Sequence, residues 1–212
     1  MSKLRIMLVD DHDIVRSGLR RLIDRNDDLE VVAEADSGEK AYTLFGESLP
    51  DILVMDISMP GMGGLEALRR IISRFPAARV VVFSMHENVA FATKALAIGA
   101  RAYVAKAGMS DDVLRAIREV AAGRGYINPD LAQKVALHNL GGSDDPMSQL
   151  SPREFEIFRL LAEGNGVEEI AGLLKISQKT AANYQTMLKQ KLGISSPVDL
   201  VRMAIRQGLI ES

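Results

Sequence analysis

Residues 1–120 alternate between short apolar runs and segments in which apolar residues recur at helical spacing. The apolar runs are mostly rich in valine and isoleucine, which is typical of strands that are buried on both faces of a sheet. These runs are Leu4–Val9, Val31–Ala35, Ile52–Met55, Val80–Phe83 and Ala102–Ala105. The helical segments are Ile14–Ile23, Glu39–Phe45, Leu65–Phe75, Val89–Ile98 and Val113–Ala121. This alternation predicts an α/β domain with one parallel five-stranded sheet and helices on both faces.

The remainder of the chain shows no strand pattern. Pro129–Leu140 predicts one further helix, and Gly141–Pro146 is polar, glycine-rich and proline-terminated, as flexible linkers are. Four more helices are predicted at Pro152–Glu163, Val167–Leu174, Gln178–Lys191 and Pro197–Gln207. The pattern therefore predicts three parts: an α/β domain over residues 1–122, a linker with one helix over 123–147, and an all-α domain over 148–212.

Composition excludes several classes of protein. Apolar residues make up 47% and charged residues 25% of the chain, so it is neither disordered nor a collagen or coiled-coil rod. Its apolar runs are far shorter than the roughly 20 residues of a membrane span, and the N-terminus lacks a signal-peptide pattern. With no cysteine, disulfides and thiolate chemistry are excluded. A cytoplasmic protein without membrane contact is expected.

Charge is distributed unevenly, although the net charge is only −2. Residues 175–206 carry six basic side chains and a single acidic one, whereas residues 151–174 carry two basic and five acidic ones. A basic block on an otherwise acidic chain indicates local contact with a polyanion. A solvated helix face would give the same pattern, so charge alone leaves both readings open.

Side chains suited to phosphoryl chemistry directly follow four of the predicted strands. Asp10 and Asp11 follow the first, Asp56 the third, Ser84 the fourth and Lys106 the fifth. Because the carboxyl ends of parallel strands meet at one edge, we expect a shared crevice there. Three close carboxylates repel unless a cation neutralises them, and Mg²⁺ prefers oxygen ligands. Asp56 is then a predicted nucleophile for a phosphoryl group, with Lys106 and Ser84 binding its oxygens. The alternative is a set of unrelated, solvated polar residues.

Four segments resemble the receiver domain of two-component response regulators, over about residues 4–122. They are Leu8–His12, Pro50–Glu66, Phe83-Ser84 and Tyr103–Lys106. The resemblance implies a flavodoxin-like (βα)5 fold with Asp56 as the phosphoacceptor. It also implies Mg²⁺ bound by Asp10, Asp11, Asp56 and the backbone carbonyl of Ser58, and switch residues Ser84, Tyr103 and Lys106.

Three positions need separate comment. Ala107 stands where most receivers have a proline, and Met85 is larger than the residue that many receivers place after the switch serine. Met85 is therefore expected to narrow the approach of phosphodonors and to affect the rate of phosphotransfer, but not its site. His12, beside the acidic pair, is expected to be partly exposed and structural.

Residues 167–191 are predicted as helix, turn and helix, an arrangement whose second helix typically enters the major groove of DNA. Leu150–Ile157, Glu169–Ala171, Ile176–Thr180 and Lys191–Ile194 resemble the LuxR-type helix-turn-helix of NarL/FixJ regulators, over residues 148–212. The chain as a whole resembles the GacA/UvrY group of that family. The resemblance implies double-stranded DNA as a partner; ordinary core packing of a helical bundle is the alternative.

The second of these helices carries the predicted DNA contacts. Ala181, Tyr184 and Leu188 share one face that can pack inward or against phosphates, whereas Asn183 lies on the exposed side and suits adenine. The predicted DNA-binding set is Lys179, Thr180, Ala182, Asn183, Tyr184, Thr186, Lys189 and Lys191. In the last helix an apolar stripe is either domain core or a dimer contact, at Leu200, Val201, Ala204 and Ile205.

The sequence thus predicts a transcription regulator that a histidine kinase phosphorylates on Asp56, and that then dimerises and binds DNA. It would catalyse only its own phosphotransfer and slow dephosphorylation, and so is not classed as an enzyme. A phosphatase of the haloacid dehalogenase type is a rival, but it would need an aspartate where Ser58 stands. A DNA binder that ignores phosphorylation is a second rival, against which the intact pocket argues.

Overall fold

The computed structural model describes residues 3–107, 110–140 and 146–210. Within them a single parallel sheet has the strand order β2-β1-β3-β4-β5-β6. The strands are β1 Leu4–Val9, β2 Leu29–Ala35, β3 Ile52–Met55, β4 Val80–Ser84, β5 Ala102–Ala105 and β6 Tyr126–Ile127. The helices that accompany the sheet are α1 Asp13–Asp24, α2 Gly38–Ser48, α3 Gly64–Arg74, α4 Val89–Ile98, α5 Ser110–Ala121 and α6 Pro129–Leu140.

The five predicted strands are present, but the prediction of a five-stranded sheet is wrong by one edge strand. β6 pairs with β5 through Ala102 and Tyr126 and through Tyr103 and Ile127. Two residues are too few to show an alternating pattern, so the sequence gives no strand signal there. The buried ring of Tyr126 and its 2.8 Å hydrogen bond to Asp112 Oδ1 on α5 stabilise this edge.

Apolar side chains cover both faces of the sheet. Ile6 and Leu8 of β1 pack on one face with residues of α1 and α5. Met7 and Val9 point to the other face, where α2, α3 and α4 contribute Phe45, Leu68 and Phe91 among others. Successive residues of a strand face opposite sides, so an unbroken apolar run buries both faces.

The C-terminal domain consists of four helices, as predicted: α7 Pro152–Ala162, α8 Val167–Leu173, α9 Gln178–Leu192 and α10 Pro197–Arg206. Ser151 and Ser196 cap α7 and α10, each accepting a backbone N–H three residues on, with proline following the cap. Most of the predicted Gly141–Pro146 linker lies outside the described residues. A short 3-10 helix, Pro146–Gln149, precedes α7 and was not predicted.

The two domains pack against each other. The ring of Phe155 on α7 meets Phe91 on α4 edge-on, with centroids 5.0 Å apart. Lys94 of α4 is buried and donates to the carbonyls of Met147 at 3.1 Å and of Leu150. The loop before α3 also contacts the C-terminal domain, because Gly61 N–H donates to Leu173 O at 2.9 Å. Among the helices described, none is long and apolar enough to cross a membrane.

Candidate phosphorylation site and nucleic-acid interface

The strand ends bring Asp10, Asp56 and Lys106 together. Lys106 Nζ lies 2.6 Å from Asp10 Oδ2 and 2.6 Å from Asp56 Oδ2. All three side chains are at most 5% exposed. Burial opposes the charge of Lys106, but its hydrogen bonds to the two carboxylates outweigh this effect and raise the pKa of the ammonium. The lysine therefore stays protonated between two buried carboxylates.

Gly64 explains how α3 begins so close to Asp56. A Cβ at Gly64 would lie 2.3 Å from the carbonyl oxygen of Asp56 and 2.3 Å from Ile57 Cα. Only glycine permits this approach, in which Gly64 N–H donates to Ile57 O at 3.2 Å. The Asp56 carboxylate is oriented locally as well, since its Oδ1 accepts the N–H of Ser58 at 2.9 Å.

Oxygen and nitrogen atoms of Asp10, Asp11, His12 and Asp56 lie within 4.8 Å of one another, close enough to share one metal ion. Asp11 Oδ1 is buried and forms no hydrogen bond within the described part of the chain, although His12 Nδ1 lies 3.1 Å away. A buried carboxylate oxygen left in this way, beside two further carboxylates, fits a hard divalent cation. The side chain of His12 is 62% exposed, in agreement with the exposure predicted for it.

Ser84 and Tyr103 meet at one residue, His86. The N–H of His86 donates to Ser84 Oγ at 3.1 Å, and Tyr103 donates its hydroxyl to His86 O at 2.7 Å. Burial raises the pKa of Tyr103 far above its ordinary value, so that its hydroxyl remains a donor. The His86 ring stacks on the ring of Phe91, with centroids 3.9 Å apart, and Phe91 in turn contacts Phe155 of the C-terminal domain. Burial, followed by the charge of Arg159 on α7, lowers the pKa of His86.

On α9 the structure separates inward from outward positions. Ala181 and Leu188 are 1% and 0% exposed and belong to the domain core. Lys179, Asn183 and Thr186 are exposed, whereas Ala182 and Lys189 are half-buried. The outward face is therefore sparse in charge, and the side chain of Asn183 is available for a base edge.

Three of the predicted DNA contacts are paired with, or lie beside, other parts of the protein. Lys191 Nζ pairs with Glu154 Oε2 on α7 at 2.8 Å, so its predicted phosphate contact competes with a structural ion pair. Thr180 and Tyr184 line a groove of about 340 Å³ between the domains, opposite Glu66 and Arg70 of α3. In this conformation these two side chains face the α/β domain.

The dimer prediction for α10 needs revision at two of its four positions. Leu200 and Ala204 are 5% and 0% exposed, packed within the domain core. They cannot contact a second copy while the domain is folded. Val201 is half-buried and Ile205 is 38% exposed, so these two remain available for the predicted contact.

Comparison with known proteins accounts for both halves of this arrangement. Residues 6–118 match the response regulator receiver domain, and residues 148–204 match the bacterial regulatory proteins of the luxR family. GacA of Pseudomonas aeruginosa is 37% identical over 211 residues, 99% of each chain. The chain belongs to the response regulators. UvrY of Escherichia coli is 36% identical over 208 residues, covering 97% of this response regulator and 95% of UvrY.

Solved structures agree with the fold of this response regulator. RcsB of Salmonella enterica serovar Typhimurium, bound to promoter DNA in the presence of the phosphomimetic BeF₃⁻, is 27% identical with a TM-score of 0.70. The match covers 95% of this chain and 98% of RcsB. The flavodoxin-like fold with a C-terminal helix-turn-helix domain, and membership of the NarL/FixJ-type regulators, are thereby confirmed. The chain is a DNA-binding response regulator of the two-component type.

Sequence reasoning missed the residues that hold this response regulator's two halves together. Arg153 of α7 donates to Gly61 O at 2.8 Å and to Leu174 O at 2.7 Å, and so joins the loop after Asp56 to the helix-turn-helix. His86, two residues after the switch serine, likewise has no sequence signature of its own. Their roles depend on contacts between distant segments, which no local pattern indicates.

Proposed function

We propose that a partner histidine kinase transfers a phosphoryl group to Asp56, and that the phosphorylated protein dimerises and binds specific double-stranded DNA in the cytoplasm. The observation that carries the proposal is the buried contact of Lys106 with both Asp10 and Asp56. A carboxylate nucleophile beside a fixed ammonium is suited to accept a phosphoryl group and to hold it. The luxR-family domain supports DNA as the target.

In the proposed transfer, an oxygen of Asp56 attacks the phosphorus of the donor phosphohistidine. The bond between phosphorus and the donor nitrogen breaks, and the nitrogen keeps the electron pair. Asp10, Asp11, Asp56 and the carbonyl of Ser58 would hold Mg²⁺, which neutralises negative charge on the carboxylates and the phosphoryl oxygens when it is bound. Lys106 then exchanges its contact with Asp56 for a phosphoryl oxygen, and the Ser84 hydroxyl donates to another.

The same pocket argues against turnover of an external substrate. Ser58, two residues after the nucleophile, offers a hydroxyl where a phosphatase of the haloacid dehalogenase type has a carboxyl acid–base group. A serine hydroxyl cannot take that role at neutral pH. We therefore expect transfer to Asp56 and slow loss of the phosphoryl group as the only chemistry.

A groove beside the pocket is the docking surface that we propose for the kinase. A groove of about 490 Å³ runs between α1 and α5, with Lys106 at one end and Val15, Leu22 and Val113 along its walls. Ile14 stands beside it with 87% of its surface exposed. An exposed isoleucine next to a site of chemistry suits docking of a partner helix.

Contacts of His86 supply a route from the pocket to the DNA-binding domain. Movement of Ser84 or Tyr103 toward a phosphoryl group would shift His86, which is hydrogen-bonded to both. The stack of His86 on Phe91, and the edge-on contact of Phe91 with Phe155, would shift with it. Separation of the domains would then free Thr180 and Tyr184 on α9.

The test is labelling of the full chain by acetyl phosphate in the presence of Mg²⁺, with dimerisation followed by light scattering. Asp56→Asn should abolish labelling, because an amide oxygen is too weak a nucleophile to form an acyl phosphate. Asp36→Asn is the matched control, since Asp36 also follows a strand but pairs with Lys40 at the surface. Undiminished labelling of Asp56→Asn would contradict the assignment, and labelled wild type that neither dimerises nor gains DNA affinity would favour a DNA binder that ignores phosphorylation.

A further inference from the structure

The peptide group between Asp10 and Asp11 is held by a residue outside the pocket. Asp10 N–H donates to Ala35 O on β2 at 3.1 Å, which continues the strand pairing by one residue. The carbonyl of Asp10 lies beyond the β1–β2 ladder and accepts Nη1 of Arg16 at 2.7 Å. The orientation of this peptide therefore depends on a side chain of α1.

Arg16 is itself fixed in three directions. Its Nη2 donates to Asp13 in the first turn of α1, and its Nε lies 3.4 Å from Glu34 Oε2 on β2. Only 17% of the side chain is exposed. A planar guanidinium with several donors can satisfy all three partners at once, which a lysine cannot do.

We infer that Arg16 is a positioning residue for the divalent-cation site, an inference that rests on the proposed function. The two carboxylates depart from either side of one peptide plane, so rotation of that plane changes the distance and angle between them. Asp10 has further hydrogen bonds from His12 N–H and from Lys106. Asp11 Oδ1 accepts no hydrogen bond among the described residues, although Nδ1 of the exposed His12 ring lies 3.1 Å away, so the backbone sets much of its direction.

A positioning role and a purely electrostatic role of Arg16 predict opposite changes in Mg²⁺ affinity when Arg16 is replaced. A guanidinium near the carboxylates repels a divalent cation, so its removal would strengthen binding if charge were its only effect. If Arg16 orients the ligands, its removal weakens binding instead. Loss of outer-shell partners typically lowers metal affinity by about 10- to 100-fold.

The experiment is calorimetric titration of Mg²⁺ into the full unphosphorylated chain, wild type and variants. Arg16→Gln should weaken Mg²⁺ binding about tenfold, and acetyl phosphate labelling should recover toward the wild-type rate when Mg²⁺ is saturating. Arg20→Gln is the control, because Arg20 lies one turn further along α1 and pairs with the same Glu34. It should leave Mg²⁺ affinity unchanged.

Arg16→Lys keeps the charge and is the second variant, in case Arg16→Gln does not fold. It should also weaken Mg²⁺ binding, whereas a role of charge alone predicts no change. The inference is overturned if either Arg16 variant binds Mg²⁺ as tightly as wild type, or if Arg20→Gln weakens binding equally. Wild type that binds no Mg²⁺ and is not labelled would instead overturn the proposed function, and this inference with it.

Discussion

The acidic pocket and helix α9 hold their functional side chains in different ways. In the pocket, Asp10 and Asp56 are each 1% exposed and Ser84 is 0% exposed. Each lies at the end of a buried strand, and Lys106 bonds both aspartates. On α9, by contrast, the candidate base-reading side chain of Asn183 projects from the exposed surface of a single helix.

This difference determines when each site becomes complete. The sheet and its hydrogen bonds arrange the pocket before any phosphodonor arrives, which favours chemistry that depends on fixed geometry. The predicted DNA contacts of α9, by contrast, would be completed only when bases and phosphates are bound. Substitutions in the pocket should therefore remove a function outright, whereas substitutions on α9 should change affinity by degrees.

The largest expected effect is that of Lys106→Ala. Acetyl phosphate labelling should persist, but the proposed dimerisation on phosphorylation should be lost, because in the proposed function Lys106 binds the phosphoryl group after transfer. Light scattering of the phosphorylated variant measures this loss. Lys40→Ala, which removes an exposed lysine that pairs with Asp36, is the control. Normal dimerisation of phosphorylated Lys106→Ala would contradict the role and would weaken the contrast between the two regions.

A graded effect is expected from Asn183→Ala on α9. Loss of a bidentate contact to adenine should cost about 1–3 kcal/mol of discrimination at one base pair of each half-site. Lys189→Ala should instead weaken all sequences alike and reduce the salt slope by about 1. Binding to single-base variants of a selected site at two salt concentrations separates these effects. An unchanged preference profile for Asn183→Ala would place specificity in neighbouring residues or in DNA shape.

Lys191 differs from the other predicted contacts on α9 because it pairs with a side chain of the protein itself. Its replacement should give the smallest effect, which is on folding stability. Lys191→Met should lower the free energy of unfolding of the helical domain by about 1 kcal/mol, since a partly exposed ion pair to buried Glu154 is lost. Lys189→Met, two residues away, should have no such effect. Denaturant unfolding of both variants measures the difference, and equal stabilities would contradict a structural role for the pair.

The pH dependence of this ion pair has a definite sign. Burial, the largest single influence, would raise the pKa of Glu154, but the hydrogen bonds from Lys191 and Ser151 together outweigh it and hold the pKa below the ordinary 4.5. A carboxyl of lowered pKa adds stability above its unfolded pKa, and that stability is lost as the pH falls through the folded value. The difference in stability between wild type and Lys191→Met should therefore shrink below about pH 4.5.

Much of the pocket could be predicted because strand ends are readable from sequence. The apolar runs before Asp10, Asp56, Ser84 and Lys106 predict where each strand stops, and a parallel sheet brings those stops to one edge. Helix α9 was harder to interpret. Helical spacing separated Ala181 and Leu188 from Asn183, but it did not show that Lys191 meets Glu154. Nor did it show that Leu200 and Ala204 are buried in the domain core.

By itself the sequence determined the apolar runs of the strands, the helical spacing of the helices, the reactive side chains at the strand ends and the serine caps. Each of these features is encoded within a few neighbouring residues. Only the tertiary structure revealed the edge strand Tyr126–Ile127, the hydrogen bond from Arg16 to the Asp10 carbonyl, and the aromatic contact between Phe91 and Phe155. These features join segments that are distant along the chain. They depend on how whole helices and strands pack, because packing fixes which side chains come within contact distance.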